Sequence, residues 1–186
     1  MEDRIPSRTF GREIVEGLIV AILEGPIVPR RVRPKPREGS HAPEDPRTWI
    51  TWAHASKKLR KEQVYWVCTV RQSSQPHAAP VAGVWRNNSF YFETEPDSVK
   101  GRNLSHNPSI VVHVQNGNDT VIIEGSATRE THAVELRRLK ADYVRKYEYE
   151  PDWSEGSGNI VFKVSPRIAH AWRQPHMHRN LVNFVF

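Results

Sequence analysis

The sequence predicts a mainly β protein built on a small antiparallel barrel of six or seven strands, with two or three flanking helices. Short segments rich in β-branched and aromatic residues recur from residue 64 onward, and many of them are apolar on both faces. Residues typical of tight turns separate several of these segments. Because open edges of such strands would pair with other chains, a closed sheet is the architecture that this pattern favours.

Seven segments carry the strand pattern: residues 64–71, 77–86, 89–94, 109–115, 120–128, 159–165 and 167–172. Asn87 and Asn88 lie between two of them and predict a tight hairpin, because asparagine tolerates positive φ. Helical spacing of apolar residues predicts helices at 49–61, 99–106 and 131–147. The Asn107–Pro108 pair ends the second helix, since proline disfavours helical backbone in the residue before it.

Charge and proline content divide the chain into an extension and a folded domain. Residues 1–46 carry 8 basic and 8 acidic side chains and seven of the 14 prolines, so the net charge of +6 lies in the remainder. We expect residues 1–48 to form an N-terminal extension, with a short helix near 12–23 and a poorly ordered linker rich in proline and arginine. That linker is either a contact for an anionic partner or a solvated tail. Residues 49–186 form the predicted folded domain.

The sequence argues against a secreted or membrane protein. Cys68 is the only cysteine, so no intrachain disulfide is possible, which favours a reducing, cytoplasmic location. The longest aliphatic run, Leu18 to Leu23, is six residues, whereas a bilayer span needs about 20. Glu2 and Asp3 stand where a secretory signal carries positive charge.

Metal binding, nucleic-acid binding and acid–base catalysis receive little support. His176 and His178 share a short segment, but a metal site needs about three or four protein ligands, and no acidic residue or cysteine lies nearby. The basic excess allows weak attraction to nucleic acid, yet the aromatic residues sit inside strand patterns rather than between cations. No nucleophile with a paired base stands out, so the catalytic residues remain unknown.

The segment from Phe90 to Pro108 could bind a phosphate. A strand ends at Thr94, and a helix begins near Asp97 or Ser98, so free backbone N–H groups would face the intervening loop. Such a helix N-terminus attracts anions, and Thr94, Ser98 and Lys100 add two hydroxyls and an ammonium. Alternatively, the same pattern is a capped helix with a solvated lysine in its first turn.

Several motifs in this order resemble the pyridoxamine 5'-phosphate oxidase-like superfamily, the flavin-binding split barrels. The motifs are PHAAPVAGVW (76–85), YFET (91–94), SVKGRNL (98–104) and NPSIVVHV (107–114), with RKY (145–147) and SPRIAHAW (165–172) further along. The resemblance covers roughly residues 49–186. It implies that the barrel is a split β-barrel and that the protein is a homodimer, with two flavins in clefts between the subunits.

The resemblance also implies which residues contact the flavin. The phosphate would be held by Thr94, Ser98 and Lys100, with Arg102 and Asn103 as weaker candidates. The isoalloxazine ring would lie along the backbone of Pro80, Val81, Ala82 and Gly83, where a glycine permits close approach. Trp85 and Trp172 are either ring and cleft contacts or ordinary core residues.

Two departures from the family pattern argue against vitamin B6 oxidation. The second barrel strand reads PVAGVW, without the arginine and lysine of true pyridoxamine phosphate oxidases, and residues 173–179 lack their Arg-x-His motif. The chain therefore resembles the uncharacterised branch. We expect a flavin-dependent oxidoreductase that transfers hydride between bound FMN, or the deazaflavin coenzyme F-420, and a small organic substrate. The alternatives are a non-catalytic flavin or phospholigand carrier or sensor and, third, a basic barrel that binds nucleic acid.

Overall fold

The computed structural model describes residues 28–34 and 45–186. The predicted helix near residues 12–23 lies outside the described residues, as does much of the predicted linker. Within the described residues there are nine strands: β1 (Arg30–Val32), β2 (Tyr65–Val70), β3 (Pro76–Val81), β4 (Val84–Arg86), β5 (Ser89–Thr94), β6 (Ser109–Val114), β7 (Asp119–Arg129), β8 (Ile160–Arg173) and β9 (Val182–Val185). The helices are α1 (Trp52–Lys61), α2 (Val99–His106), α3 (Ala133–Tyr147) and α4 (Met177–Asn180), and Pro46–Thr48 form a 3-10 turn.

The strands form one antiparallel sheet that curls without closing. The main path runs β1-β9-β8-β7-β6-β2-β3, while β5 pairs with both β4 and β8. The N-terminal half of β8 pairs with β5 and the C-terminal half with β9, so β8 changes partner along its length. The strands β1 and β3 each have a single partner and leave the sheet open. The antiparallel split barrel that the resemblance implies is thus confirmed, whereas the closed sheet favoured by the strand pattern is wrong, because β1 and β3 each keep a free edge among the described strands.

A bulge bends the longest strand pair. The register of β7 against β8 shifts between Glu124 and Gly125, opposite Pro166. A Cβ on Gly125 would lie 2.3 Å from the carbonyl oxygen of Ser165, so the close approach of the two backbones requires glycine. Residues 159–165 and 167–172, predicted as two strands, are therefore one continuous strand, because a bulge accommodates the proline.

Other boundaries differ from the predictions in two places. The predicted strand 77–86 is two strands, β3 and β4, separated at Ala82 and Gly83. Strands β1 and β9 were not predicted, and β1 belongs to the predicted extension, where it pairs with β9. The predicted hairpin is confirmed, since Asn87 and Asn88 have φ of 47° and 55° between β4 and β5.

The core lies inside the curled sheet. Alternate residues of β2, β6 and β7 point inward, and α1 covers part of this core with Leu59. Leu104 of α2 closes another part of it. A smaller apolar cluster holds α3 against β4, β5 and β8 through Leu139 and Tyr143. Both α2 and α3 are therefore fixed relative to the strands that carry the candidate site.

Among the described helices, none has the length and apolar character needed to cross a lipid bilayer.

Candidate functional site

The junction between β5 and α2 has the geometry of an anion site. Ser98 is the N-cap of α2, and its Oγ accepts a hydrogen bond from the backbone N–H of Gly101 at 3.1 Å. The hydroxyls of Thr94 and Ser98 are 2.8 Å apart. A Cβ on Gly101 would lie 2.5 Å from the carbonyl oxygens of Glu95 and Pro96, so glycine allows the loop to fold tightly over the helix start.

This arrangement leaves donors for a ligand. The cap satisfies the third N–H of α2, and the first two, of Val99 and Lys100, have no acceptor within the described residues. When Thr94 donates its proton to Ser98, the Ser98 hydroxyl proton is also free. Two backbone N–H groups and one hydroxyl at a helix N-terminus are suited to the oxygens of a phosphate.

Three basic side chains come from neighbouring elements: Arg71 directly after β2, His77 of β3 and Lys100 of α2. His77 of β3 pairs in register with Thr69 of β2, and Thr69 Oγ1 accepts a hydrogen bond of 2.9 Å from Asn103 of α2. Burial and the charges of Arg71 and Lys100 lower the pKa of His77. Arg71 and Lys100 therefore both interact electrostatically with the His77 ring.

None of these three basic side chains has a carboxylate partner among the described residues. Lys100 and Arg71 are half-buried, and neither forms an ion pair in that part of the chain. The Nδ1 atom of His77 is buried and has no hydrogen-bond partner there. Uncompensated positive charge next to free donors favours an anionic ligand.

The two weaker phosphate candidates lie in different surroundings. Asn103 is buried, and its amide is occupied by the bond to Thr69 that ties α2 to β2. Arg102 is exposed, and its guanidinium donates to the carbonyl of Asp97 within the same loop and helix. The structure therefore brings Thr94, Ser98 and Lys100 together and gives Asn103 a structural contact.

The predicted ring-binding segment lies on an edge strand. β3 pairs only with β2, so the other edge of the segment from Pro80 to Val81 carries no strand. Pro80 and Ala82 are exposed, whereas Val81 and Gly83 are buried. The free edge runs from His77 to Ala82. A ligand anchored at the β5–α2 junction could therefore form hydrogen bonds with the backbone groups along this edge.

Gly83 has an internal explanation. A Cβ at this position would lie 2.3 Å from Cζ of Phe90 and 2.7 Å from the carbonyl oxygen of Tyr91. Its backbone N–H donates to Tyr147 Oη at 2.8 Å, and its carbonyl accepts from Lys146 Nζ at 2.8 Å. The glycine is needed for packing against β5, and both of its backbone polar groups are already used.

The two candidate tryptophans lie in different surroundings. Trp85 is only 4% exposed, packs edge-to-face on Trp52 and donates to Ser56 at 3.3 Å. It is a core residue on the α1 side. Trp172 is half-buried on β8 opposite Thr120, on the strand face that the core does not cover.

A cleft of about 660 Å³ lies beside the loop between β5 and α2, and Pro96 of that loop lines it. Arg129, Leu136, Trp153 and Ile160 also line it. Trp153 is held in place because its Nε1 donates to Glu93 Oε2 at 2.6 Å. The cleft offers room for an organic molecule next to the anion site.

Sequence reasoning missed Arg71, Lys146 and Tyr147. Arg71 follows directly on a strand, which is a common place for a solvated cation, so its position gives no local signal. The motif RKY (145–147) contributes to the resemblance but does not indicate what its side chains contact. Contacts between α3 and the β3–β4 break join residues more than 60 positions apart, which no local pattern reveals.

Comparison with known proteins agrees with this fold. The family model described as pyridoxamine 5'-phosphate oxidase matches residues 52–173. No curated protein matches the sequence. A putative pyridoxamine 5'-phosphate oxidase from Listeria innocua is 17% identical, with a TM-score of 0.54 over 63% of this chain and 94% of that chain.

Two mycobacterial structures share the fold. A conserved hypothetical protein from Mycobacterium tuberculosis is 17% identical, with a TM-score of 0.60 over 73% of this chain and 91% of that chain. A heme-binding protein from Mycobacterium smegmatis is 15% identical, with a TM-score of 0.59 over 70% of this chain and 57% of that chain. The family model spans 122 of the 186 residues, and the chain therefore belongs to the pyridoxamine 5'-phosphate oxidase family.

Proposed function

We propose that the protein is a flavin-dependent oxidoreductase, which transfers hydride between bound FMN or a deazaflavin and a small organic substrate. The observation that carries the proposal is the anion site at the β5–α2 junction. There, the start of α2 has free N–H groups, and Lys100 lacks a carboxylate partner among the described residues, as do His77, on which its charge acts, and Arg71. A cofactor phosphate matches this set of donors and charges.

The rest of the cofactor would lie along the free edge of β3. A flavin ring carries alternating donors and acceptors on one side, which suit the backbone groups left unpaired along the β3 edge from Pro80 up to the Ala82 carbonyl, which itself accepts from Tyr143 Oη. When bound, the flavin supplies the hydride chemistry, and the residues of the chain bind it, orient it and control access to it. This division of roles agrees with the lack of an evident acid–base pair in the sequence.

We also propose a homodimer with the cofactor sites at the subunit interface. The face of the sheet opposite the core carries half-buried apolar residues on neighbouring strands, among them Trp66 on β2, Val111 on β6 and Ile122 on β7. Ala78 and Pro80 of β3 pair with Cys68 and Trp66 and so extend this face to the free edge. A second copy would cover the apolar surface and border the flavin.

An absorbance spectrum tests the cofactor directly. The purified full-length chain is recorded alone and after titration with FMN and with the deazaflavin. We expect saturable binding of one of them, with a perturbed visible band. Binding of neither would contradict the proposal, and a Soret band would instead indicate heme, which the Mycobacterium smegmatis relative binds by its name.

A carrier or sensor that holds flavin without turnover shares the same anion site. The two functions differ in electron transfer. We expect NAD(P)H or a reduced-deazaflavin system to reduce the bound flavin, which then passes hydride to an added acceptor. Flavin that binds tightly but is never reduced by these donors would favour the carrier or sensor.

A further inference from the structure

The break between β3 and β4 is held by side chains of α3. Gly83 N–H donates to Tyr147 Oη at 2.8 Å, and the same Oη lies 2.8 Å from the Gly83 carbonyl oxygen and 2.9 Å from that of Gln63. Tyr143 Oη donates to the carbonyl oxygen of Ala82 at 3.3 Å. Side chains thus replace the strand partner that the Ala82–Gly83 backbone would otherwise need.

Lys146 completes this set from the same helix. Its Nζ donates to the Gly83 carbonyl and to Tyr65 Oη, both at 2.8 Å, and lies 4.7 Å from the centre of the Tyr65 ring and 5.1 Å from that of Tyr147. Tyr65 Oη donates in turn to the carbonyl of Leu59. The ammonium therefore links the β3–β4 break to β2 and, through Tyr65, to α1.

Packing alone does not explain a lysine at this position. Burial lowers the pKa of Lys146 to about 8, although Glu62 at the end of α1 opposes that shift. Among the described residues, Tyr65 and Tyr147 are the other titratable side chains that contact Lys146, and Tyr143 packs on Tyr147. Methionine would fill similar space without a charge to desolvate. Leu139 and Tyr143 in the apolar cluster and the ion pair of Arg86 with Asp142 at 2.9 Å already anchor α3.

Lys146 and Tyr147 contact the chain directly after the segment that is proposed to bind the flavin ring, residues 80–82. Gly83 directly follows Ala82 at the end of the free edge, so the orientation of its peptide sets the direction of the backbone from Pro80 to Ala82. We propose that Tyr147 and Lys146 are positioning residues, which hold the Gly83 backbone and thereby align the β3 edge for a planar flavin ring. The inference rests on the proposed flavin-binding function and adds to it residues on α3 that do not belong to the anion site.

Hydrogen exchange and flavin titration test this role together. Tyr147→Phe removes one oxygen and keeps the ring, and Tyr149→Phe, at an exposed tyrosine beyond the end of α3, is its matched control. In the flavin-free chain we expect faster exchange of the Gly83 amide in Tyr147→Phe only. We expect the Kd for FMN to rise about three- to tenfold, as for the loss of one neutral hydrogen bond, with a shifted visible band.

Lys146→Met provides a second variant, and Lys140→Met on the same helix is its control. We expect Lys146→Met to bind FMN about tenfold more weakly, because the Gly83 carbonyl loses a charge-assisted hydrogen bond. We expect its Tm to be no lower than that of Lys140→Met, because the variant no longer buries a charge. Leu139→Val loosens the packing of α3 without removing a hydrogen bond to Gly83 and serves as the structural control.

The outcomes separate the inference from the proposed function. Unchanged exchange of the Gly83 amide in Tyr147→Phe would overturn the inference, because the contact would not hold the peptide. A rise in Kd no larger than that of Leu139→Val would overturn it too, since α3 would then act only through stability. If the wild-type chain binds neither FMN nor the deazaflavin, the proposed function itself fails, and the positioning role fails with it.

Discussion

Replacement of Lys100 by alanine tests the anion site most directly. Lys100 lies in the first turn of α2, and none of the described carboxylates pairs with it. The substitution therefore breaks no ion pair among the described residues, and we expect it to change the free energy of unfolding by no more than about 0.5 kcal/mol. Its effect on a bound phosphate should be much larger, because a charge-assisted hydrogen bond contributes about 1.5–3 kcal/mol.

The groups around Lys100 indicate which end of this range of binding free energy to expect. Arg71 remains in the variant as a cation, and the His77 ring can still donate a hydrogen bond to the anion. The free N–H groups at the start of α2 are also unaffected. We therefore expect the lower end, a loss of about 1.5 kcal/mol, which corresponds to about a tenfold rise in the Kd for FMN.

Riboflavin provides the decisive comparison, since it carries the same ring without the phosphate. Titrations monitored by flavin fluorescence should show weaker binding of FMN to Lys100→Ala and unchanged binding of riboflavin. Lys57→Ala, at an exposed position on α1, is the matched control. Equal losses for both ligands, or no loss for either, would refute the placement of the phosphate.

The other predictions concern stability, pH and assembly. Gly83→Ala should lower the free energy of unfolding by about 1–3 kcal/mol, because its Cβ would lie 2.3 Å from Phe90; an unchanged Tm would contradict the packing. The pKa of Lys146 is lowered to about 8 in the folded chain from 10.5, so the unfolded chain binds more protons above pH 8 and this residue makes stability rise with pH. Denaturation between pH 8 and about 9.5, below most tyrosine ionisation, should show that rise relative to Lys146→Met; parallel curves would argue against it. Ile122→Glu should convert the proposed dimer to monomers in light scattering, whereas a wild-type chain that is already monomeric would exclude the dimer.

Local signals in the sequence predicted the elements that bear the anion site. Ser98 has the side chain of an N-cap and caps α2 as one of two predicted candidates. Asn107 ends the same helix before Pro108, as proline requires of its predecessor. Each of these features depends on the backbone preferences of a few adjacent residues, so it can be recognised without knowledge of the fold.

Predictions that needed contacts between distant segments were incomplete. The strand predicted at 77–86 is interrupted because side chains of α3, and not a neighbouring strand, form hydrogen bonds with the backbone of Ala82 and Gly83. The two strands predicted at 159–172 are one because Gly125 of β7 allows a bulge opposite Pro166. In both cases the deciding residue lies on another element.

The sequence by itself determined the class of fold, the order of most elements and the local positions of the hydroxyl and ammonium groups in the proposed anion site, because strand pattern, turn residues and helix caps act over short stretches of chain. Only the tertiary structure decided that Trp85 belongs to the core, that Asn103 ties α2 to β2 and that the charges of Arg71 and Lys100 both act on His77. Burial and charge at a given atom depend on neighbours brought together by folding, and residues remote in sequence supply most of those neighbours.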